Sequence, residues 1–79
     1  MRLDKFLKVS RLIKRRTIAN EACDAGRVLV NDKAAKASLN IKQGDVIEIR
    51  FGTSSVKVEV LDVAETVKKD EAKELYRYL

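Results

Sequence analysis

A chain of 79 residues has room for one hydrophobic core and little else, because at this length only about 60–65% of the unfolded surface is buried. It carries 17 Lys and Arg against 12 Asp and Glu, a net charge of +5, which favours a polyanionic partner such as nucleic acid or an anionic membrane surface. It has no histidine and one cysteine, so the commonest general base is missing and neither an internal disulfide nor a cysteine zinc cluster can form.

The first sixteen residues hold Arg2, Lys5, Lys8, Arg11, Lys14, Arg15 and Arg16 against Asp4 alone, a net of +6. Residues 17–79 carry 10 basic and 11 acidic side chains, a near-neutral scaffold. Leu3, Phe6, Leu7, Ser10 and Ile13 fall on one stripe of a 3.6-residue period, which predicts an amphipathic helix ending within residues 12–16. Lys5, Lys8 and Arg11 lie opposite the stripe, and Asp4 is placed beside Lys8 as an i, i+4 pair. Thr17 is the expected N-cap of a second helix through IANEACDA, with Glu21 near its first turn. Ile18, Ala22 and Ala25 form its apolar strip, with Cys23 alongside Ala19, and Gly26 is its C-terminal stop. So short a helix is marginal alone and must pack on the first.

From Val28 the period changes to two. Val28–Val30 reads as a strand, Asn31-Asp32 as a tight turn, residues 33–43 as irregular or briefly extended, and Gln43-Gly44-Asp45 as a further turn. Residues 46–51 and 56–60 alternate as strands around Gly52-Thr53-Ser54-Ser55, which predicts an antiparallel hairpin. Residues 62–79 form an appendage with a short helix from Val67, able to dock on the domain or lie free. The fold expected is α+β: two packed N-terminal helices, a small mainly antiparallel sheet and a short C-terminal helical tail, with domain limits 1–61 and 62–79.

The basic cluster is the strongest functional signal. Lys and Arg that neutralise phosphates release counterions, the main source of affinity for nucleic acid, and a helix N-terminus at Thr17 adds outward N–H groups. The RNA-binding candidates are therefore Arg2, Lys5, Lys8, Arg11, Lys14, Arg15, Arg16 and Thr17. Four aromatic residues, one of them on the core stripe, are too few for a base-stacking platform, so folded RNA suits the surface better than single strands. DNA is disfavoured, since the second helix offers Glu and Asp where a recognition helix wants Arg, Asn or Gln. Cys23 lies among alanines with no histidine to activate it and reads as a small core residue. Asp45 has a structural role in its turn. Asp62, Glu65, Asp70, Glu71 and Glu74 match no metal loop and read as solvated helix charges. No catalytic site, metal or cofactor is expected. No apolar run approaches the ~20 residues of a membrane span, the charged N-terminus is unlike a signal peptide, and a lone cysteine suits the reducing cytosol.

The run RLDKFLKVSRLIKRRTIANEACDAGRVLVN, followed by Ser38 and KQGDVIEI, resembles the αL RNA-binding domain family named after small-subunit ribosomal protein S-four. The resemblance rests on Arg2, Leu3, Asp4 and Leu7, then Arg16 and Thr17, Ala19 and Gly26, Val28, Val30 and Asn31, and Gly44-Asp45. Asp32 stands where the family usually has glycine, which leaves the type of that turn open. The resemblance implies that the two helices and their loop face ribosomal or transfer RNA, with Arg2 and Arg16 central and Lys5, Lys8, Lys14 and Arg15 in support. Two stand-alone groups share this N-terminus, a small heat-shock ribosome-associated protein of proteobacteria and the RqcP (YabO) group, and this chain is more similar to the second. That similarity implies a non-enzymatic, cytoplasmic, monomeric factor of ribosome-associated quality control. It would bind stalled large subunits carrying peptidyl-tRNA and hold P-site tRNA, supporting alanine tailing of the nascent chain by an RqcH-like partner. A ribosome assembly factor, a general structured-RNA binder and an enzyme accessory subunit are the alternatives.

Overall fold

The structure is a computed structural model that describes residues 1–79. Two helices, α1 (Leu3–Val9) and α2 (Arg16–Asp24), pack on each other and precede five strands. These are β1 (Val28–Val30), β2 (Lys33–Ala34), β3 (Val46–Phe51), β4 (Ser54–Val60) and β5 (Tyr76–Tyr78), in spatial order β2-β1-β3-β4-β5 with every pair antiparallel. The α+β architecture with paired helices and an antiparallel sheet is thus the one expected.

α1 stops earlier than the stripe predicts. Ser10 closes it, donating its hydroxyl to the Leu7 carbonyl at 3.2 Å. Arg11 then adopts φ 64°, the left-handed conformation that ends helices but that a side chain disfavours. Ile13 therefore reaches the core from the loop rather than from the helix, with its N–H donating to the Leu7 carbonyl at 3.0 Å.

α2 also departs from expectation. Arg15 occupies the N-cap position with no side-chain cap, Thr17 lies inside the first turn, and that turn contains no acid, so neither the Thr17 cap nor the favourable placement of Glu21 is realised. The buried strip is Ala19 and Cys23, whereas Ile18 is 48% exposed and Ala25 is exposed. The strip is offset by one residue from the expected one. Its small side chains let the two short helices approach closely.

The β1–β2 connection is a two-residue turn with Asn31 at φ 52° and Asp32 at φ 70°, the pair of positive angles of a type I′ hairpin. Aspartate tolerates that angle, so the substitution for glycine keeps the tight turn. β3 and β4 are joined by Gly52-Thr53 alone, because Phe51 pairs with Ser54, a tighter reversal than the four residues expected. Gly52 has φ 58°, matching the first central position of a type II′ turn. Asn31 and Asp45 brace the sheet ends: Asn31 Nδ2 donates to Asp45 Oδ1 at 3.2 Å, and the Val46 N–H donates to Asn31 Oδ1 at 3.0 Å.

Leu3, Phe6 and Leu7 of α1 pack over Val28, Val30, Ile47, Ile49, Val58 and Val60 of the sheet. Each large side chain so buried contributes roughly 1.5–3 kcal/mol. The connection between β2 and β3 adds Ala35, Ala37 and Ile41 to this core, although its sequence has no strand period. Its Leu39 and Ala37 carbonyls accept the first N–H groups of α1, from Leu3 at 2.8 Å and Asp4 at 3.1 Å. The tail holds a single 3-10 turn at Ala72–Leu75, where the sequence suggested a helix from Val67. It then adds β5 to the edge of β4 and drives Leu75 into the core. Residues 62–79 thus share the sheet and core of residues 1–61.

Candidate RNA-binding surface

The centre of the site is a carboxylate the sequence pattern assigned to the surface. Asp4 is not paired with Lys8; it is 2% exposed, between the two helices. Arg2 donates to it through Nε at 3.2 Å and Nη2 at 3.3 Å. Arg16 reaches across from α2 with Nη2 at 3.4 Å from Oδ1 and Nε at 3.4 Å from Oδ2. Asn20, one turn further along α2, donates Nδ2 at 3.4 Å, and the Lys5 backbone N–H donates at 2.8 Å. Burial pushes the Asp4 carboxyl up, but hydrogen bonds from Arg2, Arg16 and Asn20 and the charge of Arg16 outweigh it and hold it below the usual range.

The chemical consequence concerns the arginines. One carboxylate neutralises one of two guanidinium groups, so the pair retains a net positive charge while its geometry is fixed. Each guanidinium has five N–H donors, and those not turned to Asp4 face solvent on side chains that remain about half exposed, 50% for Arg2 and 47% for Arg16. Planar forks pre-oriented in this way suit bidentate phosphate recognition, which lysine cannot reproduce. Thr17, Asn20 and Glu21 line the same open cleft with Arg2 and Arg16. The uncapped first turn of α2 begins at Arg16, leaving N–H groups that add partial positive charge there.

The remaining basic candidates do not join this cleft. Lys8, Arg11 and Lys14 gather in a second pocket with Leu12 and with Lys69 from the tail. None of these four cations is in an ion pair. The left-handed turn at Arg11 stands in the chain between Lys8 and Lys14, so a locally strained residue sits within this cluster. Lys5, expected to share an open face with Lys8 and Arg11, is instead paired with Glu65 of the segment that follows β4. The Lys5 ammonium, by hydrogen bond and by charge, lowers the Glu65 carboxyl. Arg15 is exposed at the N-cap of α2.

Sequence reasoning missed Asp4, Asn20 and Lys69 as members of these clusters. Asp4 borders the apolar stripe next to Leu7, which was a legible sign of burial, and Asn20 follows Arg16 by one helical turn. Nothing local to Lys69 announces the path that brings it to α1. Cys23 is buried beside the cleft. Burial first, then the charges of Asp4 and Asp24, push its thiol up to about 11, so it is a packed apolar group at neutral pH. Among the tail acids, Asp62 accepts from the Val63 N–H and Glu71 from the Lys68 N–H. They brace the connection rather than line a helix, and they form no cluster that could hold a metal ion. No helix is long and apolar enough to cross a membrane.

Comparison with known proteins identifies the family. Residues 1–47 match the S4 domain family model. The chain is 60% identical over 76 residues to the RQC P-site tRNA stabilizing factor of Halalkalibacterium halodurans, covering 96% of this chain and 86% of that one. It is 54% identical over 79 residues to the factor of the same name from Bacillus subtilis, covering 100% and 92%. Among solved structures, heat shock protein 15 of Vibrio cholerae, described as trimeric, superposes with a TM-score of 0.92 at 30% identity, covering 100% of this chain and 81% of that one. The chain belongs to the S4 domain family, in the RqcP-type branch related to heat shock protein 15.

Proposed function

We propose that the chain is an RNA-binding factor of ribosome-associated quality control that binds stalled large ribosomal subunits and stabilises tRNA in the P site. The observation that carries this reading is the Arg2–Asp4–Arg16 cluster, two guanidinium forks fixed by one buried carboxylate beside an uncapped helix start. The names of the curated relatives supply the P-site tRNA; the forks supply a means of gripping a phosphate backbone. The second cluster, Lys8, Arg11, Lys14 and Lys69, lies at the opposite end of α1 from Arg2. The protein can therefore touch ribosomal RNA and peptidyl-tRNA at once, and contacts available in only one tRNA position favour that position.

In this reading Arg2 and Arg16 are the central contacts, with Lys8, Arg11, Lys14, Arg15 and Thr17 in support, and Lys5 contributes once Glu65 yields it. The factor acts as a cytoplasmic monomer without catalysis or a cofactor. Holding the tRNA leaves the nascent chain in place for C-terminal alanine tailing by an RqcH-like partner on the same subunit.

Co-sedimentation tests the reading. Wild-type protein is expected on large subunits bearing peptidyl-tRNA in preference to empty ones, and Arg16→Ala is expected to lose association by at least about tenfold while keeping its fold. With about five phosphates contacted, log affinity falls with log salt at a slope of roughly −3 to −5. Equal enrichment on empty subunits would instead indicate an assembly factor.

A further inference from the structure

The chain carries a third concentration of positive charge that its overall arithmetic conceals. Residues 33–42 contain Lys33, Lys36 and Lys42 and no acid, but acids elsewhere in residues 17–79 cancel them in the sum. The fold wraps this stretch around an open groove lined by all three lysines together with Ser38, Leu39 and Asn40. None of the three is in an ion pair. Two carboxylates flank the groove itself, and both are engaged. Asp45 is buried, its Oδ2 accepting from the Lys42 N–H at 3.0 Å and its Oδ1 from Asn31, and Asp32 lies 3.7 Å from Lys57 Nζ.

The groove is continuous with the arginine cleft. Lys36 and Ser38 also line a neighbouring cleft with Arg2, Asn20 and the exposed carboxylate of Asp24, and Arg2 and Asn20 in turn line the cleft of Arg16 and Thr17, which Glu21 borders. Cations therefore recur from Arg16 through Arg2 and Lys36 to Lys33 and Lys42, outnumbering the exposed acids Glu21 and Asp24 on this path, with Ser38 and Asn40 placed among them as donors and acceptors for ribose hydroxyls. No exposed aromatic platform lies on this path, which suits a phosphate–ribose backbone rather than splayed bases.

We infer that the 33–42 groove is a further RNA-binding site, which holds the backbone of the same RNA segment that Arg2 and Arg16 grip and extends the contact around the N-terminal end of α1. The inference rests on the reading of the arginine cleft as a phosphate site and adds the direction in which the RNA leaves it. Lysine suits this outer part of the track, because a flexible point charge follows a backbone without imposing the angle of a fork.

The test compares three variants of the full chain on purified large ribosomal subunits carrying peptidyl-tRNA, by salt titration of affinity and hydroxyl-radical footprinting of the RNA. They are Lys33→Gln/Lys36→Gln/Lys42→Gln, a charge-matched Arg50→Gln/Lys68→Gln/Lys73→Gln control on other faces, and Arg16→Ala. All six residues changed to Gln are exposed, and circular dichroism confirms that each variant folds. The groove variant is expected to bind on the order of tenfold more weakly than the control and to flatten the salt slope by about 0.9 for each duplex phosphate it no longer neutralises. It is expected to lose one block of protected nucleotides that adjoins the block missing in Arg16→Ala. A weakening no larger than the control's would overturn the inference, since net charge alone would explain it. Weaker binding with an unchanged footprint and slope would also overturn it, by assigning the groove to a protein partner. If Arg16→Ala weakens binding and the groove variant does not, the arginine site stands and the extension falls; if Arg16→Ala also binds as wild type, the underlying reading falls with it.

Discussion

Replacing Asp4 by Asn tests whether one buried charge both stabilises the helix pair and sets the RNA-binding forks. The substitution preserves shape but removes the negative charge between Arg2 and Arg16 and presents an amide N–H₂ to donors. Truncating a fully buried ion pair typically costs about 3–5 kcal/mol. Here both guanidinium groups are half exposed and the arginine contacts are long, 3.2 to 3.4 Å, so solvent screening reduces the loss. An expected destabilisation of about 2 kcal/mol corresponds to a fall in Tm of about 8–16 °C for a domain of this size. The pH dependence separates charge from packing. The Asp4 carboxyl is held below its ordinary value of 3.8 in the folded protein, so its contribution is fully present above the unfolded value and is lost as pH falls through the folded one. Urea unfolding from pH 7 to pH 2 should therefore show wild type and Asp4→Asn converging below about pH 4. The variant has one more net positive charge, so its affinity for heparin should not fall, while its affinity for large subunits should drop as the forks lose their orientation. A stability gap that persists unchanged to pH 2, or subunit binding that survives intact, would refute the reasoning.

Two further predictions concern residues on either side of this centre. Arg11→Gly should relieve the left-handed strain at φ 64°, raising stability by about 0.5–1 kcal/mol in thermal unfolding. The same change should weaken subunit binding by deleting a cation from the Lys8–Lys14–Lys69 cluster, so stability and affinity are expected to move in opposite directions; a variant that loses stability would contradict the strain. Cys23, with its thiol pushed up to about 11, should resist a disulfide reagent at pH 8 in the native protein and react on unfolding in urea. The ordinary thiol value is 9.0, so burying the protonated thiol contributes stability at neutral pH that is lost as pH rises through the folded value. Fast native-state labelling would refute its burial.

The sequence was most legible where local pattern and tertiary packing agree. Val28–Val30, Val46–Phe51 and the β4 strand alternate with a period of two and occur as strands, because one sheet face is covered by helices while Glu48, Lys57 and Glu59 take the other. It was least legible where the chain is organised by distant partners. Residues 35–41 show no period, yet Ala35, Ala37 and Ile41 are core, held because their segment supplies the carbonyls that anchor the start of α1. β5 reads as the end of a short helix, and only an unpaired β4 edge makes it a strand. Boundaries failed for a related reason. Ser10 and Arg11 end α1 through a side-chain hydrogen bond and a strained angle that helical periodicity does not encode.

The same distinction explains what the charge pattern revealed of the site. Linear counting found the concentration of seven cations and so the class of partner, but it treated Asp4 as an ordinary surface ion and residues 17–79 as neutral. Both errors come from averaging charge along the chain rather than over the surface. Folding removes Asp4 from solvent and commits it to two arginines, removes Asp45 by turning it into the β3 approach, and covers Lys5 with Glu65. What remains is not one basic helix face but two regions: a fixed arginine pair that continues through Lys36 into the lysine groove, and a cluster completed by Lys69. A single uniform patch would bind any polyanion about equally, whereas patches at fixed separations favour a ligand whose phosphates occur at those separations. On the reading proposed above, with so few exposed aromatic groups to read bases, that spacing is what would distinguish one folded RNA among many.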